Sequence, residues 1–488
     1  MLSRDGTSLG KQPVWWGLLV SGLVSLGGYA WLAFGLETGN SWPLLHGLMA
    51  TLFVLALCQF VAWRCALKLP DRRTLVTVLF AFAISFRLIA LFAGLDSPRA
   101  RALADDISGR DAGYETFLLY DNDVWRFLWD GHVTTHGISP YRYSPAEISA
   151  GDELTAELLD SDRWWDVHDS VGFERLVTIY PPLAQLFFAF AGLMAPGSVF
   201  IWKALVAGLD LGLCWLLLRM IRQRRGAGEG AGEGAVGHWV LYAWSPLVIK
   251  EISGSGHFES LTTLLLLAGA WCAVRAAPRR AVLLATAAAL TKLAPIVALP
   301  LVLRRVGWRH VAWALALGAV LCLPFAATLP RWFETVRVFA DRWQFNAGAW
   351  ALLETALSPS ALASWICAAL LAATVFIASR RLRPGGPAVE LYGTVFAALA
   401  AVVLLSPAVM PWYLVWALPF AVLLSTHGRS ALVRQIGPLW AVLCCLSLLS
   451  YYFYAEQLEY AWWRWVEYGG VGSIALLAAG RARHDPPS

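Results

Sequence analysis

The sequence predicts an all-α polytopic membrane protein: a bundle of about 11–14 transmembrane helices with short broken helices and one large outer loop carrying interfacial helices. Three observations predict it. The 488 residues are 58% hydrophobic and only 15% charged, where a soluble chain carries roughly a quarter charged residues. Apolar runs of about 20 residues, long enough to cross hydrocarbon, recur from end to end. Acids are not spread evenly: of the 33 acidic residues, 17 fall in residues 95–180, against 7 Arg and Lys there.

Clear apolar runs are residues 14–36, 44–64, 74–94, 198–219, 261–277, 311–329, 361–379, 388–405 and 437–454. The first is too long for a signal-peptide core and no small-residue cleavage site follows it, so no cleaved leader is expected. The expected organisation is three N-terminal spans in residues 1–94, an outer loop with juxtamembrane helices in 95–180, and a multi-helix membrane domain in 181–488. Residues 222–237 form a cytoplasmic linker whose low-complexity core reads GAGEGAGEGAV, a composition that behaves as flexible coil. All eight cysteines lie in or beside apolar runs. That pattern gives no disulfide framework and no metal-spaced set, and lone core cysteines are the reading.

Basic clusters orient the chain. Arg64 to Arg73, Arg219 to Arg225, Arg275 to Arg280, Arg304 to Arg309, Arg380 to Arg383, Arg429 to Arg434 and Arg481 to Arg483 mark the cytoplasmic face. The termini are then cytoplasmic and the acidic loop outside. The net charge of +5 reflects these arginines rather than nucleic-acid binding. Between Arg280 and Arg304 the chain must begin and end inside, yet only one span's length is available. Two short helices, 281–290 and 295–303, with Thr291-Lys292 at their tip, satisfy both constraints; residues 181–194 likewise form a short segment that does not span. Broken helices at membrane depth are tolerated only where they line protein or a cavity. On this topology Tyr180-Pro181-Pro182, Ser253 to Glu259, Lys292, Arg342 to Asn346, and Ser406-Pro407 with Pro411-Trp412-Tyr413 converge on the outer side.

Candidate site residues follow, each beside a plainer reading. Asp123 and Asp130 are seven residues apart, two helical turns, and share one face of a helix. A carboxylate at the membrane surface can deprotonate an acceptor hydroxyl; the plainer reading is a solvated acidic loop. His257 and Glu259, in a Gly/Ser-rich turn, offer hydrogen bonds to a sugar or a proton relay, or merely a polar turn. Lys292, Arg87 and Lys250 are cations in or beside apolar runs, where charges face a cavity or a counter-charge, and convergent cations suit a phosphate. Snorkelling is the plainer reading for Lys250. Lys203 and Asp210 pair on one side of a helix.

The run Asp123…Trp129-Asp130-Gly131…Gly137-Ile138-Ser139-Pro140-Tyr141-Arg142-Tyr143, with Thr178-Ile179-Tyr180-Pro181-Pro182-Leu183-Ala184-Gln185, resembles bacterial polyprenyl-phosphate-dependent glycosyltransferases of the GT-C superfamily, mannosyltransferase-like members most closely. Ser245-Pro246-Leu247, Gly256-His257-Phe258-Glu259, Thr291-Lys292-Leu293-Ala294-Pro295, Phe345-Asn346 and Ser406-Pro407…Pro411-Trp412-Tyr413 extend the resemblance over residues 118–419. Asn122 separates Asp121 from Asp123 where relatives often show adjacent acids, and Glu259 stands where they tend to carry Asp.

The resemblance implies an inverting hexosyltransferase. It would move a monosaccharide, mannose first, from a polyprenyl-phosphate donor to a hydroxyl acceptor at the outer face of the bacterial inner membrane. The acceptor is a glycan, glycolipid or protein. Catalysis falls to Asp123 first and Asp130 second. Donor phosphate and sugar fall to Lys292, His257, Glu259, Arg126, Arg342, Asn346, Tyr180 and Trp412. No cofactor and no metal site is expected, although the mixed acids Asp121 to Asp130 have the chemistry to hold a divalent ion. Two other readings compete: a transporter or flippase of lipid-linked sugars, which needs no base, and a membrane oligosaccharide polymerase or ligase, which takes a larger donor.

Overall fold

A computed structural model of the chain describes residues 12–35, 42–94, 123–148, 153–223, 234–357, 360–428, 430–455, 465–470 and 472–473. Asp121, Asn122 and the core of the glycine-rich linker, 224–233, lie outside the described residues. The described chain is helical, and among these residues one isolated bridge, Phe345 to Ala408, is the only β-type pairing. Among the described residues eight helices are long and apolar enough to cross a membrane, or nine if one bent pair counts as a span. They include Gln12–Phe34, Leu45–Leu67, Arg73–Ala90, Val199–Gln223, Trp308–Phe325, Ala361–Arg381, Ala388–Leu405 and Ala431–Tyr452. The all-helical polytopic class holds. The remaining apolar stretches are broken into shorter helices, so they do not add to the count of long spans.

The chain divides into two compact units, one of Met1–Ala90, Leu211–Lys250 and Leu418–Ser488, the other of Leu91–Asp210 and Glu251–Ala417. In the first unit Pro246 interrupts a helix, since it has no N–H to offer and its ring blocks continuation. Carbonyls left open by such a break must find donors inside the protein. Gln59 Nε2 donates to the Leu241 carbonyl at 2.9 Å, and buried Arg87 donates to the Ala243 carbonyl at 2.8 Å. The cation that the sequence placed against a cavity or counter-charge therefore repairs a helix break. Lys250 does not snorkel: it is buried, its Nζ 3.9 Å from the centre of the Tyr451 ring.

The second unit also carries broken helices. Pro182–Met194 is 13 residues of apolar helix, too short to span. Pro278–Ala289 ends at a buried tip, Thr291-Lys292, and the chain returns through the 3₁₀ turn Ala294–Ala298 and the helix Leu299–Val306. Two short helices thus flank Thr291-Lys292, where the sequence expects 281–290 and 295–303. Thr291 Oγ1 lies 2.8 Å from Thr262 Oγ1, which ties the tip to the helix Glu259–Val274. That helix follows the π-helical turn Ile249–Gly254. Between residues 148 and 180 lie two short helices, Glu153–Leu158 and Asp162–Asp169; the latter buries Trp164 and Val167.

Candidate active site

Asp123 is the first residue of the helix Asp123–Thr135, whose residues from Val124 to Val133 are all buried. The positive end of a helix dipole favours a carboxylate there. The helix is pressed against Pro182–Met194 at Gly131: a Cβ on that residue would sit 2.5 Å from the Phe188 carbonyl oxygen, so only glycine permits the approach. Five rings lock the same junction. Phe127 meets Tyr180, Phe188, Trp202 and Phe258 at centroid distances of 5.2, 5.1, 5.3 and 5.1 Å, spacings at which aromatic pairs attract beyond simple area burial.

Tyr180 is held just as firmly. The proline that follows forces it out of helical geometry, and Pro182 opens the next helix at a position where a missing N–H costs nothing. Its carbonyl accepts the Tyr141 hydroxyl at 2.7 Å, and the Trp332 indole donates to the adjoining Ile179 carbonyl at 3.0 Å. The Tyr180 hydroxyl then donates to Asp123 Oδ2 at 3.1 Å.

Asp123, Tyr180, Lys292 and Trp412 together form the polar wall of a cavity of about 310 Å³. Val336, Phe339, Trp343, Val402, Met410 and Trp416 make the opposite walls largely apolar. Lys292 forms an ion pair with Glu259, which is fully buried behind it. The ammonium also lies 4.5 Å from the Phe258 ring centre and 5.4 Å from that of Tyr180, within range of cation–π attraction. A cavity with one carboxylate and two cationic side chains, Lys292 and Arg126, on a largely apolar surface fits an amphipathic ligand whose head is anionic.

Behind this wall stands His257, fully buried and not itself lining the cavity. Its ring stacks on Trp412 at 3.9 Å and 27°. Nδ1 is 3.1 Å from Glu251 Oε2, and Nε2 is 3.7 Å from Asp123 Oδ2. The π-helical turn makes this possible, because the His257 amide donates back to the Glu251 carbonyl at 2.9 Å and so brings residue 257 beside residue 251. Burial pushes the Asp123 carboxyl up, but His257, the Lys292 charge and the Tyr180 hydroxyl outweigh it and hold the group below the ordinary carboxylate range.

Asp130 sits differently. It is buried, does not line the cavity, and accepts from Gln185 Nε2 at 3.3 Å, with Arg126 Nη1 4.0 Å away. Burial pushes its carboxyl up to about 6, against the lowering influence of Arg126, Thr178 and Gln185. Arg126 borders the cavity, yet its guanidinium donates to three carbonyls, Gly172 at 2.8 Å, Phe173 at 3.0 Å and Leu176 at 3.3 Å. Phe173 is held there at φ 58°, a left-handed conformation that a bulky residue rarely adopts. Arg126 thus shapes a wall of the cavity.

The structure therefore brings Asp123, Tyr180, Lys292, Glu259, His257 and Trp412 together. Two candidates stand apart. Arg342 closes the helix Leu329–Arg342, is exposed and does not line the cavity. Asn346 is buried at φ 46° beside Phe345, which pairs with residues 407–409, and it does not line the cavity either. Sequence reasoning passed over Glu251. Its signal was an acid at the edge of an apolar run, six residues before a histidine that needs a partner. Among the described residues no group of three or more His, Cys, Asp and Glu side chains is arranged to hold a metal ion.

Residues 116–307 match the family model described as alpha-(1->6)-mannopyranosyltransferase, N-terminal domain, of the MptA_B family, a family of GT-C-type mannosyltransferases. No curated protein and no solved structure matches the chain. The match supports a glycosyltransferase working in a membrane environment, and it covers Asp123, Tyr180, His257, Glu259 and Lys292.

Proposed function

We propose that this chain, whose residues 116–307 match the alpha-(1->6)-mannopyranosyltransferase family model, transfers mannose from a polyprenyl-phosphate donor to an acceptor hydroxyl, with inversion, at the outer face of the membrane. The observation that carries this reading is the placing of Asp123 with Lys292 on one wall of a cavity whose remaining walls are largely apolar. An isoprenoid tail suits the apolar walls, and its phosphate suits the ammonium.

The chemistry needs little more. Asp123 takes the proton of the acceptor hydroxyl as that oxygen attacks the anomeric carbon. The anomeric carbon–oxygen bond breaks, and its electron pair leaves with the lipid phosphate, whose charge Lys292 stabilises. Phosphate is already a good leaving group, so no strong general acid is required. Attack from the side opposite the phosphate inverts the centre. Glu259 holds Lys292 in place, and Trp412 offers a face for a sugar ring.

The test is a transfer assay with purified protein in detergent, radiolabelled polyprenyl-phosphate mannose and a membrane-lipid extract as acceptor. Asp123→Asn should reduce transfer by roughly 10²–10⁴-fold while leaving donor binding intact. Equal transfer by both proteins would move the base elsewhere. Tight donor binding with no transfer by wild type would favour a carrier of lipid-linked sugars.

A further inference from the structure

A second groove, of about 730 Å³, shares no residue with the cavity that holds Asp123 and lies wholly within the first compact unit. Phe80 and Ile84 of the helix Arg73–Ala90 line one side; Trp215, Leu218, Arg219 and Arg222, on the last turns of Val199–Gln223, line the other. We infer that this groove binds an anionic phospholipid of the surrounding bilayer. Its phosphate sits on Arg219 and Arg222, and one acyl chain lies against Phe80, Ile84, Leu218 and Trp215.

The spacing of the polar and apolar residues fits such a ligand. Trp215, Arg219 and Arg222 recur at helical intervals and share one face. From Arg222 back to Trp215 is seven residues, or about 10 Å of helix. That is about two-thirds of the hydrocarbon depth of one leaflet, roughly 15 Å. A headgroup at the arginines therefore leaves its chain running along apolar wall. The Arg219 guanidinium is already folded back, 5.1 Å from the centre of the Trp215 ring, where cation–π attraction holds it. Among the described residues neither Arg219 nor Arg222 has a carboxylate within ion-pair distance. Both guanidinium groups are free to take phosphate oxygens, which suit their planar fork.

The groove is also built rather than collapsed. Trp239, fully buried, stacks on Phe80 at 5.4 Å and 14°, and its indole N–H donates to the Cys214 carbonyl at 2.8 Å. One rigid side chain thus anchors both sides, so a lipid finds its seat already formed. Arginines at a membrane surface attract anionic headgroups diffusely. What sets this pair apart is the anchored apolar groove beside them.

The test uses the full chain, purified and delipidated in non-ionic detergent. It is titrated with dioleoyl phosphatidylglycerol or dioleoyl phosphatidylcholine, with binding read by native mass spectrometry. At about fivefold for each arginine, wild type should prefer phosphatidylglycerol by roughly 30-fold. Arg219→Gln with Arg222→Gln should bring the two affinities together. Arg380→Gln with Arg381→Gln removes two exposed arginines from another helix end and should keep the preference. Ala81→Trp, at an exposed position lining the groove, fills the seat without touching either charge and should also abolish the preference. Thermal unfolding checks that each variant is folded.

Equal loss in the Arg380 and Arg381 variant would reduce the effect to diffuse surface charge and overturn the inference. A preference that survives Arg219→Gln with Arg222→Gln, or survives Ala81→Trp, would overturn it as well. So would inorganic phosphate that stabilises wild type as much as the lipid does, since the site would then take an anion and no chain. Phosphatidylglycerol binding that appears only in Glu229→Gln with Glu233→Gln would give the groove to the chain's own glycine-rich linker instead. None of these outcomes depends on which carboxylate acts in sugar transfer.

Discussion

The Lys292 ammonium and the Glu259 carboxylate form an ion pair in which the two ends have different surroundings: Lys292 reaches the cavity, whereas Glu259 is sealed behind it. The asymmetry decides what each substitution does. Lys292→Gln leaves a buried carboxylate without its counter-charge, and loss of a buried partner costs on the order of 3–5 kcal/mol. Glu259→Gln leaves an ammonium that water in the cavity can solvate, so it costs less. The double variant removes both charges and should regain most of the stability without regaining transfer. Thermal unfolding in detergent, beside the mannose transfer assay, separates these outcomes. A double variant that transfers normally would exclude Lys292 from the phosphate site.

Arg126 holds a cavity wall by donating to the Gly172, Phe173 and Leu176 carbonyls. Hydrogen bonds to a charged group contribute about 1.5–3 kcal/mol each, and a lysine cannot reproduce the fork. Arg126→Lys is expected to raise the donor KM more than it lowers kcat, because a deformed wall weakens binding before it disturbs Asp123. Phe173→Gly should be tolerated, since glycine adopts φ 58° without strain. A kcat loss at unchanged KM would instead mean that Arg126 acts on the reacting phosphate.

Stability should depend on pH through Asp130. Its carboxyl titrates at about 6 in the folded protein against an ordinary 3.8, so the folded state binds the proton more tightly. That contribution is fully present below about pH 4 and is lost as pH rises through about 6. A shift of that size amounts to about 3 kcal/mol. The wild-type Tm should therefore fall between pH 5 and 7, and Asp130→Asn should flatten the curve and be the more stable protein at pH 8. Near-normal transfer by the same variant would confirm Asp130 as a structural acid, whereas loss comparable to Asp123→Asn would give it a share of the chemistry.

Gly131 lets the helix that carries Asp123 approach the Phe188 carbonyl. Gly131→Ala inserts a methyl group against backbone that cannot rotate away, and overpacking of this kind costs about 1–3 kcal/mol. The helix should shift along its contact with Pro182–Met194, lowering Tm and transfer together. A variant as stable and active as wild type would mean that the two helices can separate at no cost.

Much of this architecture was readable from residue order. The apolar runs of 388–405 and 361–379 reappear as the helices Ala388–Leu405 and Ala361–Arg381. Thr291-Lys292 lies between two short helices, where the sequence places a break. Asp123 begins a helix rather than floating in a loop. These features depend on hydrophobicity, helix length and charge placement, which act along the chain and need no knowledge of distant contacts. The partners of the polar groups were another matter. Arg126 carried the charge expected of a phosphate ligand and is bound to carbonyls some fifty residues away. Arg342 and Asn346 shared a promising run with Trp343, yet among the three only Trp343 lines the cavity.

The sequence by itself determined that the chain lies in a membrane, that its helices break where charges and prolines require, and that carboxylates, a histidine and a lysine gather on one side. Hydrophobic transfer and the cost of burying charge are properties of single residues and short runs, so they are written into the order of residues. Only the tertiary structure decided which groups meet. The π-helical turn turns His257 toward Glu251, the five-ring junction sets Asp123 beside Tyr180, and the Thr262–Thr291 contact brings Lys292 to the same wall. Each of those meetings depends on bends and close approaches between distant segments, where one ångström separates a hydrogen bond from none.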